Sequence, residues 1–380
     1  MAIATPLSTK GRFIVDAHGN RVRLAGVNWY GASQDHGVAT GLDLVQRDRL
    51  AELIAAQGFN SVRLPFSVWM IESRDPVPSQ YLTANQDLQG KNPLGVYDAC
   101  VNALTKQGLI VIPNCHLLDF GWCCSNDDTN GLWFNDRFSS GQFKDAWRTI
   151  ASRYASNPLV AGMDIKNEPR TTVVRGKTLK PTWGDRSPTD LAAMYKDVGD
   201  AIHQVNPDAL IICEGKNYAS DLTDVAHHPV QLKTEHKVVY SMHDYHWGHK
   251  APQTKDAYIA QMTKRGGYIH DSNTAPLWIG EFGRIVDPHA DAGAEPWWSN
   301  IQAWLKEKDL DWCYWALNGT YGQSTVPGSS PAPGSGQVPH GQAQQQGGHG
   351  QHDAEPFGLL TKDWSDVGGV AMVNMLKALM

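Results

Sequence analysis

The feature that most constrains the fold is a regular alternation of short apolar segments with longer amphipathic ones. The short segments are apolar at nearly every position, as expected for strands buried on both faces of a sheet. Eight of them occur, at 22–29, 59–66, 109–116, 160–167, 210–215, 238–245, 276–283 and 311–318. Helical patterns occupy 43–57, 94–107, 142–156, 189–205, 255–270 and 295–308, with a last one near 369–380. The weakest helical pattern lies between the fifth and sixth strands.

This alternation predicts an α/β fold with a parallel sheet. Eight strand–helix units are the number that closes a (β/α)8 TIM barrel, and such barrels reach this length as one domain. We therefore predict a single domain over residues 1–380. A doubly wound open sheet would need a phosphate-binding glycine loop after the first strand, and "GVNWYGAS" lacks that pattern. Before the barrel, residues 11–24 predict an N-terminal β-hairpin with its turn at His18-Gly19-Asn20.

One segment interrupts the alternation of strands and helices. Residues 323–352 contain no Asp, Glu, Lys, Arg or aromatic residue, and Gly, Pro, Gln and Ser make up 22 of the 30 positions. Such a composition buries too little apolar area to offset its ordering entropy. Because ordered-looking sequence flanks it on both sides, we predict a long low-complexity insertion in the loop after the eighth strand. It either covers the catalytic face, joins subunits into a homo-oligomer, or is a tether without a role.

Composition excludes several classes of function. A net charge of −6 and a pI near 6.2 argue against a nucleic-acid partner. No run of eighteen apolar residues is present, so no membrane span is expected. The first ten residues lack a signal core, which leaves a cytosolic protein or a secreted or periplasmic mature form, the latter being our expectation. The six cysteines match no zinc spacing and leave one or two disulfides open.

Polar residues follow the strands at a common register, and the carboxyl ends of barrel strands converge on one face. In chain order these residues are Asn28 and Trp29, Arg63, His116, Asn167 and Glu168, Glu214, His243 and Tyr245, Glu281, and Trp315 and Asn318. Scattered polar termini would face water without a pattern. The set instead combines carboxylates with Arg, His, Asn, Tyr and Trp on one face of the barrel.

Glu168 and Glu281 suit glycoside hydrolysis, which needs one protonated carboxyl for the leaving oxygen and one carboxylate to attack or to activate water. Strands four and seven can place two carboxyls about 5 Å apart, which is the spacing of a retaining mechanism. Arg63 and Tyr245 would hold the nucleophile ionised, and Asn167 would bond a sugar 2-hydroxyl. Tryptophans offer stacking faces for sugars.

Other interpretations of these and neighbouring polar residues compete with a catalytic role. Glu214, in "ICEGKN", meets the same positional criterion and is a rival carboxylate. His116 has no second histidine at ligand spacing, and His243 and His246 are poorly spaced for one metal, so no metal or organic cofactor is expected. Asp127-Asp128 lacks the fuller calcium-loop pattern, and a solvated loop is favoured there.

The quoted motifs together resemble glycoside hydrolase family 5, a family of retaining (β/α)8 glycosidases, over nearly the whole chain. The matching stretches are "LAGVNW", "GFNSVRLPF", "CH", "DIKNEP", "HDY", "WIGEFG" and "YWAL". The resemblance implies that Glu168 is the acid/base and Glu281 the nucleophile. It also implies a supporting shell of Arg63, His116, Asn167, His243, Tyr245 and Trp315.

The substrate is less defined than the chemistry. "GWCCSNDDTNG" resembles a branch with plant and fungal members, whereas "KNEPR…TWGD" resembles bacterial endoglucanases. We expect a β-1,4-glucan or its oligosaccharides, with Trp29, Trp122, Trp183 and Trp315 as stacking surfaces. The alternatives are an exo-acting β-glucosidase, a β-mannanase or mixed-linkage glucanase, a glycolipid glycosidase, and a carbohydrate-binding barrel without catalysis. This last alternative would be expected to lose one of the two carboxylates.

Overall fold

A computed structural model describes residues 3–124, 129–249, 253–322 and 352–380. Its centre is a closed barrel of eight parallel strands, which confirms the predicted (β/α)8 fold and excludes the open sheet. The barrel strands, in chain order, are β3 (Ala25–Asn28), β4 (Ser61–Ser67), β5 (Ile110–Leu117), β6 (Gly162–Asp164), β9 (Leu210–Glu214), β10 (Val238–Asp244), β11 (Leu277–Phe282) and β12 (Asp311–Tyr314). Each pairs with the next, and β12 pairs with β3 to close the ring.

The strands are apolar because both of their faces are covered. Every residue of β4, β5 and β11 is buried. A separate apolar cluster joins Leu7, Ile14 and Leu24 to strand residues such as Ile112 and Ile212. The segment that precedes β3 therefore seals the amino-terminal end of the barrel, while the opposite end is left to the polar residues that follow the strands.

Helices surround the barrel, and each of the seven predicted helical segments overlaps at least one. Two short helices, Val68–Glu72 and Lys216–Ala219, lie outside those segments. The helices are α1 (Arg47–Ala56), α2 (Val68–Glu72), α3 (Pro93–Lys106), α4 (Ser140–Arg153), α5 (Leu191–His203), α6 (Lys216–Ala219), α7 (Lys255–Met262), α8 (Tyr268–Asp271), α9 (Glu295–Glu307) and α10 (Val370–Lys377). Side chains define their starts: Ser139 and Gln142 form a capping box at α4, and Asn92 caps α3 with Pro93 in the first turn. The predicted helix 255–270 contains a π-helical turn between α7 and α8, at Thr263–Gly267.

Two local expectations need correction, and one hairpin is additional. The N-terminal hairpin is formed by β1 (Ser8–Lys10) and β2 (Phe13–Val15), earlier than predicted. The His18-Gly19-Asn20 turn exists, but it leads only to a single bridge between Val15 and Arg21, because the chain must then enter β3. Between the fifth and sixth strands there is only the short α6 and a 3-10 turn, Thr223–Ala226. A second hairpin, β7 (Thr172–Val174) with β8 (Lys177–Leu179), follows β6 and was not predicted.

The low-complexity insertion lies outside the described residues, except for its last residue, His352. Its flanks are described: Thr320 and Ala354 form an antiparallel bridge, and the Tyr321 amide donates to the Asp353 carbonyl at 3.0 Å. The two ends of the insertion therefore lie side by side after β12, as expected for an insertion within one loop. Among the described helices, none is long and apolar enough to cross a membrane.

Candidate active site

Arg63 lies at the centre of the site and is completely buried. It is the third residue of β4 and lies level with Asn28, the last residue of β3. Its guanidinium donates to Asp164 (Nε–Oδ2, 2.7 Å), Asn28 (Nη1–Oδ1, 2.9 Å) and Glu281 (Nη1–Oε1, 2.5 Å). It also donates from Nη2 to Asn167 at 2.7 Å and to Glu214 at 3.0 Å. The guanidinium has five N–H donors. Its hydrogen bonds connect β4 to residues of β3, β6, β9 and β11.

Glu281, on β11, is the carboxylate that receives most support. In addition to Arg63, the Tyr245 hydroxyl donates to its Oε2 at 3.0 Å. Burial raises the pKa of Glu281, while Arg63 and Tyr245 lower it and leave a smaller net rise. Burial alone would lower the pKa of Arg63, but Asp164, Glu281 and Glu214 raise it above its usual value. Arg63 stays charged, and its charge favours the ionised form of Glu281.

Glu168 follows β6 and approaches Glu281 from across the barrel. Its backbone is held at φ 42°, and its amide donates to Glu214 Oε2 at 2.7 Å. The Glu168 Oε1 atom lies 2.9 Å from His243 Nδ1, which in turn lies 3.6 Å from Glu281 Oε2. One atom each of Glu168, His243 and Glu281 falls within 4.8 Å of the other two. The two carboxylates predicted from sequence are thus brought together.

The histidines of the site are neutral bases. Burial lowers the pKa of His243 and of His116 well below the usual range, and the charge of Arg63 lowers both further. His116 Nδ1 lies 2.9 Å from Asn114 Oδ1, which fixes its ring. A neutral His243 leaves the charge balance around Glu168 and Glu281 to Arg63.

Glu214, the rival carboxylate, lies behind the cleft. It is completely buried and receives the Glu168 amide and Arg63. Burial and Asp164 raise its pKa well above the usual range, and Arg63 opposes them. Asp164 accepts from Arg63 and from Asn114 Nδ2 at 2.9 Å. Both carboxyls position other site residues and do not line the cleft.

An aromatic column forms one wall. The Trp315 ring stacks on Tyr30 at 5.0 Å with a 3° interplanar angle, and on His116 at 5.6 Å with 12°. Trp122 meets Tyr30 edge-on at 5.4 Å. Behind the column, the Tyr30 hydroxyl donates to the buried carboxyl of Glu355. Trp315 and Trp122 therefore line the cleft, where the predicted stacking on sugar would require them to lie.

Trp29 and Trp183 do not lie at the cleft. Trp29 is fully buried and donates its indole N–H to the Thr40 carbonyl at 2.9 Å. Trp183 packs against Tyr195 and Tyr240 in the core. Neither indole presents a face to the cleft, so the expectation that these two residues stack on sugar is corrected.

Two pockets meet at the carboxylate pair. The Glu281 pocket is a cavity of about 20 Å³ lined by Tyr30, Ser33, Gln34, His116, Gly121, Trp122, Cys123, Glu281 and Trp315. The Glu168 pocket has a volume of about 250 Å³ and is lined by Cys124, Glu168, Asn217, Tyr218, Ser220, His243, Asp244, Tyr245, Trp247, Gly248 and Arg265. A pocket therefore lies on each side of the two carboxylates, and the larger one is on the Glu168 side.

Two groups in the described part of the chain have enough donors for a metal, namely His116 with Cys123 and Cys124, and Glu168 with His243 and Glu281. In the first, the two sulfurs are joined in a disulfide, while Cys100, Cys115, Cys213 and Cys313 are free and buried. In the second, the Arg63 cation already occupies Glu281 and would repel a second cation. Asp127-Asp128 lies outside the described residues.

Sequence reasoning missed Asp164, Asn114, Tyr30, Trp247 and Glu355. Asp164 and Asn114 stand on strands in segments already assigned to the barrel, so alternation along those strands was an available signal. Glu355 lies 187 positions after Glu168 in chain order, beyond the insertion, and no local pattern marks it. Only the packing of its loop against Tyr30 brings it to the site.

Comparison with known proteins shows the family. Residues 15–320 match the family model described as cellulase, glycosyl hydrolase family 5. The chain belongs to glycoside hydrolase family 5. This enzyme is therefore a glycoside hydrolase of the cellulase type, as its strand-end residues suggested.

Relatives of this family-5 enzyme come from several sources. It is 29% identical over 335 residues to an endoglucanase of Paenibacillus polymyxa, covering 83% of this chain and 80% of that one. It is 30% identical to a glycosyl hydrolase 5 family protein of Chamaecyparis obtusa, covering 83% of this chain and 59% of that relative. The chain thus spans about three fifths of the second protein.

Solved structures share the fold. An endocellulase from the archaeon Pyrococcus horikoshii superposes with a TM-score of 0.79 at 23% identity, over 99% of both chains. The catalytic domain of the major endoglucanase of Xanthomonas campestris gives 0.78 at 24% identity, over 98% of this chain and 99% of that one. At this level of identity the likeness concerns the barrel itself.

Proposed function

We propose that this glycoside hydrolase cleaves a β-1,4-glucan with net retention, through a covalent glycosyl-enzyme. The observation that carries the proposal is the pair Glu168 and Glu281, with carboxylate oxygens within 4.8 Å of each other at the junction of two pockets. Retaining glycosidases separate their carboxyls by about 5–5.5 Å, whereas inverting enzymes need roughly 6.5–9.5 Å to admit a water molecule. The short separation supports direct attack.

Glu281 is the nucleophile in this mechanism. Arg63 and Tyr245 donate to its two oxygens, which holds the carboxylate in one orientation and favours its charge. It attacks the anomeric carbon and displaces the glycosidic oxygen. As the glycosyl-enzyme forms, the carboxylate charge is lost, and Tyr245 and Arg63 remain to orient the ester.

Glu168 is the acid/base. Its proton goes to the departing glycosidic oxygen in the first step, and it then removes a proton from the water that cleaves the ester. Neutral His243, 2.9 Å away, orients the carboxyl without fixing its charge. Glu214 holds the Glu168 amide, and so keeps the backbone at the left-handed conformation that aims this side chain at Glu281.

Substrate class is supported by the cleft and by the relatives. Trp315 and Trp122 line the Glu281 pocket, and Trp247 and Tyr218 line the Glu168 pocket, so aromatic side chains are available to pyranose rings on both sides of the cleaved bond. The Paenibacillus relative is an endoglucanase, and the Pyrococcus horikoshii endocellulase has been solved with cellotetraose. Exo-acting glucosidase, mannanase and glycolipid glycosidase activities remain rivals on the same chemistry.

The roles are tested with Glu168→Gln and Glu281→Gln, using Glu52→Gln on the exposed face of α1 as the matched control. Each active-site variant is expected to lose about 10³-fold or more in kcat on a glucan while staying folded. With a 2,4-dinitrophenyl glycoside, whose leaving group needs no proton, Glu168→Gln should still show a burst of phenolate and Glu281→Gln should not. Turnover close to wild type in either variant would refute the assignment.

Stereochemistry and product size test the finer claims. Proton NMR of an early digest should show the β-anomer first, and an α-anomer appearing first would refute retention. Products from cellohexaose, mannohexaose and mixed-linkage glucan then identify the substrate. We expect internal cleavage of cellohexaose, and release of glucose alone would instead favour the exo-acting alternative.

A further inference from the structure

The Cys123–Cys124 disulfide lies at the junction of the two pockets. Both residues belong to the loop after β5 and are buried, at 8% and 7% exposure. Cys123 lines the Glu281 pocket, and Cys124 lines the Glu168 pocket. The catalytic roles proposed above use neither sulfur, although both are within reach of the substrate cleft.

The two sulfurs contact the side-chain amide of Asn167. Asn167 Nδ2 lies 3.4 Å from Cys123 Sγ and 3.6 Å from Cys124 Sγ. On its other side, Asn167 Oδ1 accepts from Arg63 Nη2 at 2.7 Å. The amide is completely buried, so these contacts determine which way its N–H₂ group points. Disulfide sulfurs accept weakly and donate nothing, which suits them to face an amide donor.

We propose that the Cys123–Cys124 disulfide is a positioning element for Asn167, and that it makes catalysis depend on the redox state of this pair. The proposal rests on the glycosidase function given above and on the role expected for Asn167 from the sequence, which is to bond the sugar 2-hydroxyl. The S–S bond fixes both sulfurs against the Asn167 amide. Reduction breaks that bond and leaves each cysteine side chain to rotate separately.

The redox step is balanced by a dithiol reductant. The S–S bond accepts two electrons and two protons, giving the Cys123 and Cys124 thiols, while the reductant closes to a cyclic disulfide. The new S–H groups are donors that face the Asn167 N–H₂ donors. In the reduced enzyme the sulfurs therefore no longer face the amide as acceptors alone, and each can turn away from it.

The test compares kcat/KM of an aryl β-glucoside before and after treatment with dithiothreitol, under native conditions, with mass spectrometry to count free thiols. We expect reduction to lower kcat/KM about tenfold, the effect of misplacing one positioning contact, and reoxidation to restore it. Cys123→Ser/Cys124→Ser should have the lowered value with or without reductant. Cys100→Ala, which alters a free buried thiol in α3, should keep the redox response.

A 2-deoxy aryl glucoside separates positioning from general damage. Because it lacks the hydroxyl that Asn167 bonds, its kcat/KM should change less than threefold on reduction. An equal loss on both substrates would overturn the role through Asn167. Cys100, Cys115, Cys213 and Cys313 are free, so the oxidised enzyme should have four free thiols. Two further thiols in the untreated enzyme, or unchanged kcat/KM after verified reduction, would overturn the proposal altogether. An enzyme inactive on every β-glycoside would instead refute the function on which it rests.

Discussion

Glu355 is a buried carboxyl that we expect to make the stability of this barrel depend on pH. It follows the insertion, is 6% exposed, and accepts from the Tyr30 hydroxyl and from the Phe357 amide at 3.0 Å. Burial raises its pKa from the ordinary 4.5 to about 7, although both hydrogen bonds lower it. The perturbation is Glu355→Gln, which keeps the shape and removes the charge.

The sign follows from which state holds the proton more tightly. In the unfolded chain Glu355 ionises near its ordinary pKa of 4.5, and in the folded protein near about 7. Its contribution to the free energy of unfolding is therefore fully present below pH 4.5 and is lost as the pH rises to about 7. At 1.36 kcal/mol for each pKa unit, the loss amounts to about 3 kcal/mol. The Glu355→Gln variant has no ionisable group at this position, so its free energy of unfolding shows no such loss.

The assay is urea unfolding of wild type and Glu355→Gln at pH 4 and pH 8, followed by tryptophan fluorescence. We expect the variant to gain about 3 kcal/mol relative to wild type between the two pH values. Tyr30→Phe is the companion variant. The Tyr30 hydroxyl lowers the pKa of Glu355. Removing this hydroxyl should therefore extend to higher pH the range over which the free energy of unfolding falls.

A difference between Glu355→Gln and wild type that stays constant from pH 4 to pH 8 would refute this reasoning. It would mean that water reaches the carboxyl, or that the carboxyl ionises at its ordinary pKa in the folded protein. A window that moves downward in Tyr30→Phe would contradict the assignment of the hydrogen bond.

Three further predictions concern the site. Tyr245→Phe removes one donor to Glu281 and should lower kcat/KM by about tenfold to a hundredfold on an aryl glucoside, and an unchanged value would contradict its role. Arg63→Lys cannot reach all five acceptors of the guanidinium, so calorimetry should show a lower melting temperature together with reduced kcat; a melting temperature equal to that of wild type would be inconsistent with the buried ion pairs. Trp315→Ala should raise KM for cellotetraose more than it lowers kcat. Trp29→Phe should lower the stability of the protein and leave KM unchanged, because its indole is buried away from the cleft. A raised KM in Trp29→Phe would instead indicate that Trp29 stacks on the substrate.

The sequence by itself determined the barrel and the centre of the site. Eight apolar segments alternating with amphipathic ones leave a parallel strand buried on both faces as the natural solution, and eight such strands close on themselves. The same topology sends the residue at each strand end to one face. The sequence therefore predicts that Glu168, Glu281 and Arg63 lie together.

Tertiary packing decided the rest. Whether Trp29 or Trp315 faces the cleft depends on which loop covers it, and nothing local in the sequence distinguishes these two indoles. Cys123 and Cys124 form a disulfide against Asn167, 43 residues away, and Glu355 meets Tyr30 across 325 positions. The hydrogen bonds of the sheet fix where the strand ends lie, and the hydrophobic periodicity of the sequence reveals those strands. The contacts between loops depend on the shape and burial of the folded chain, and the periodicity of the sequence does not reveal them.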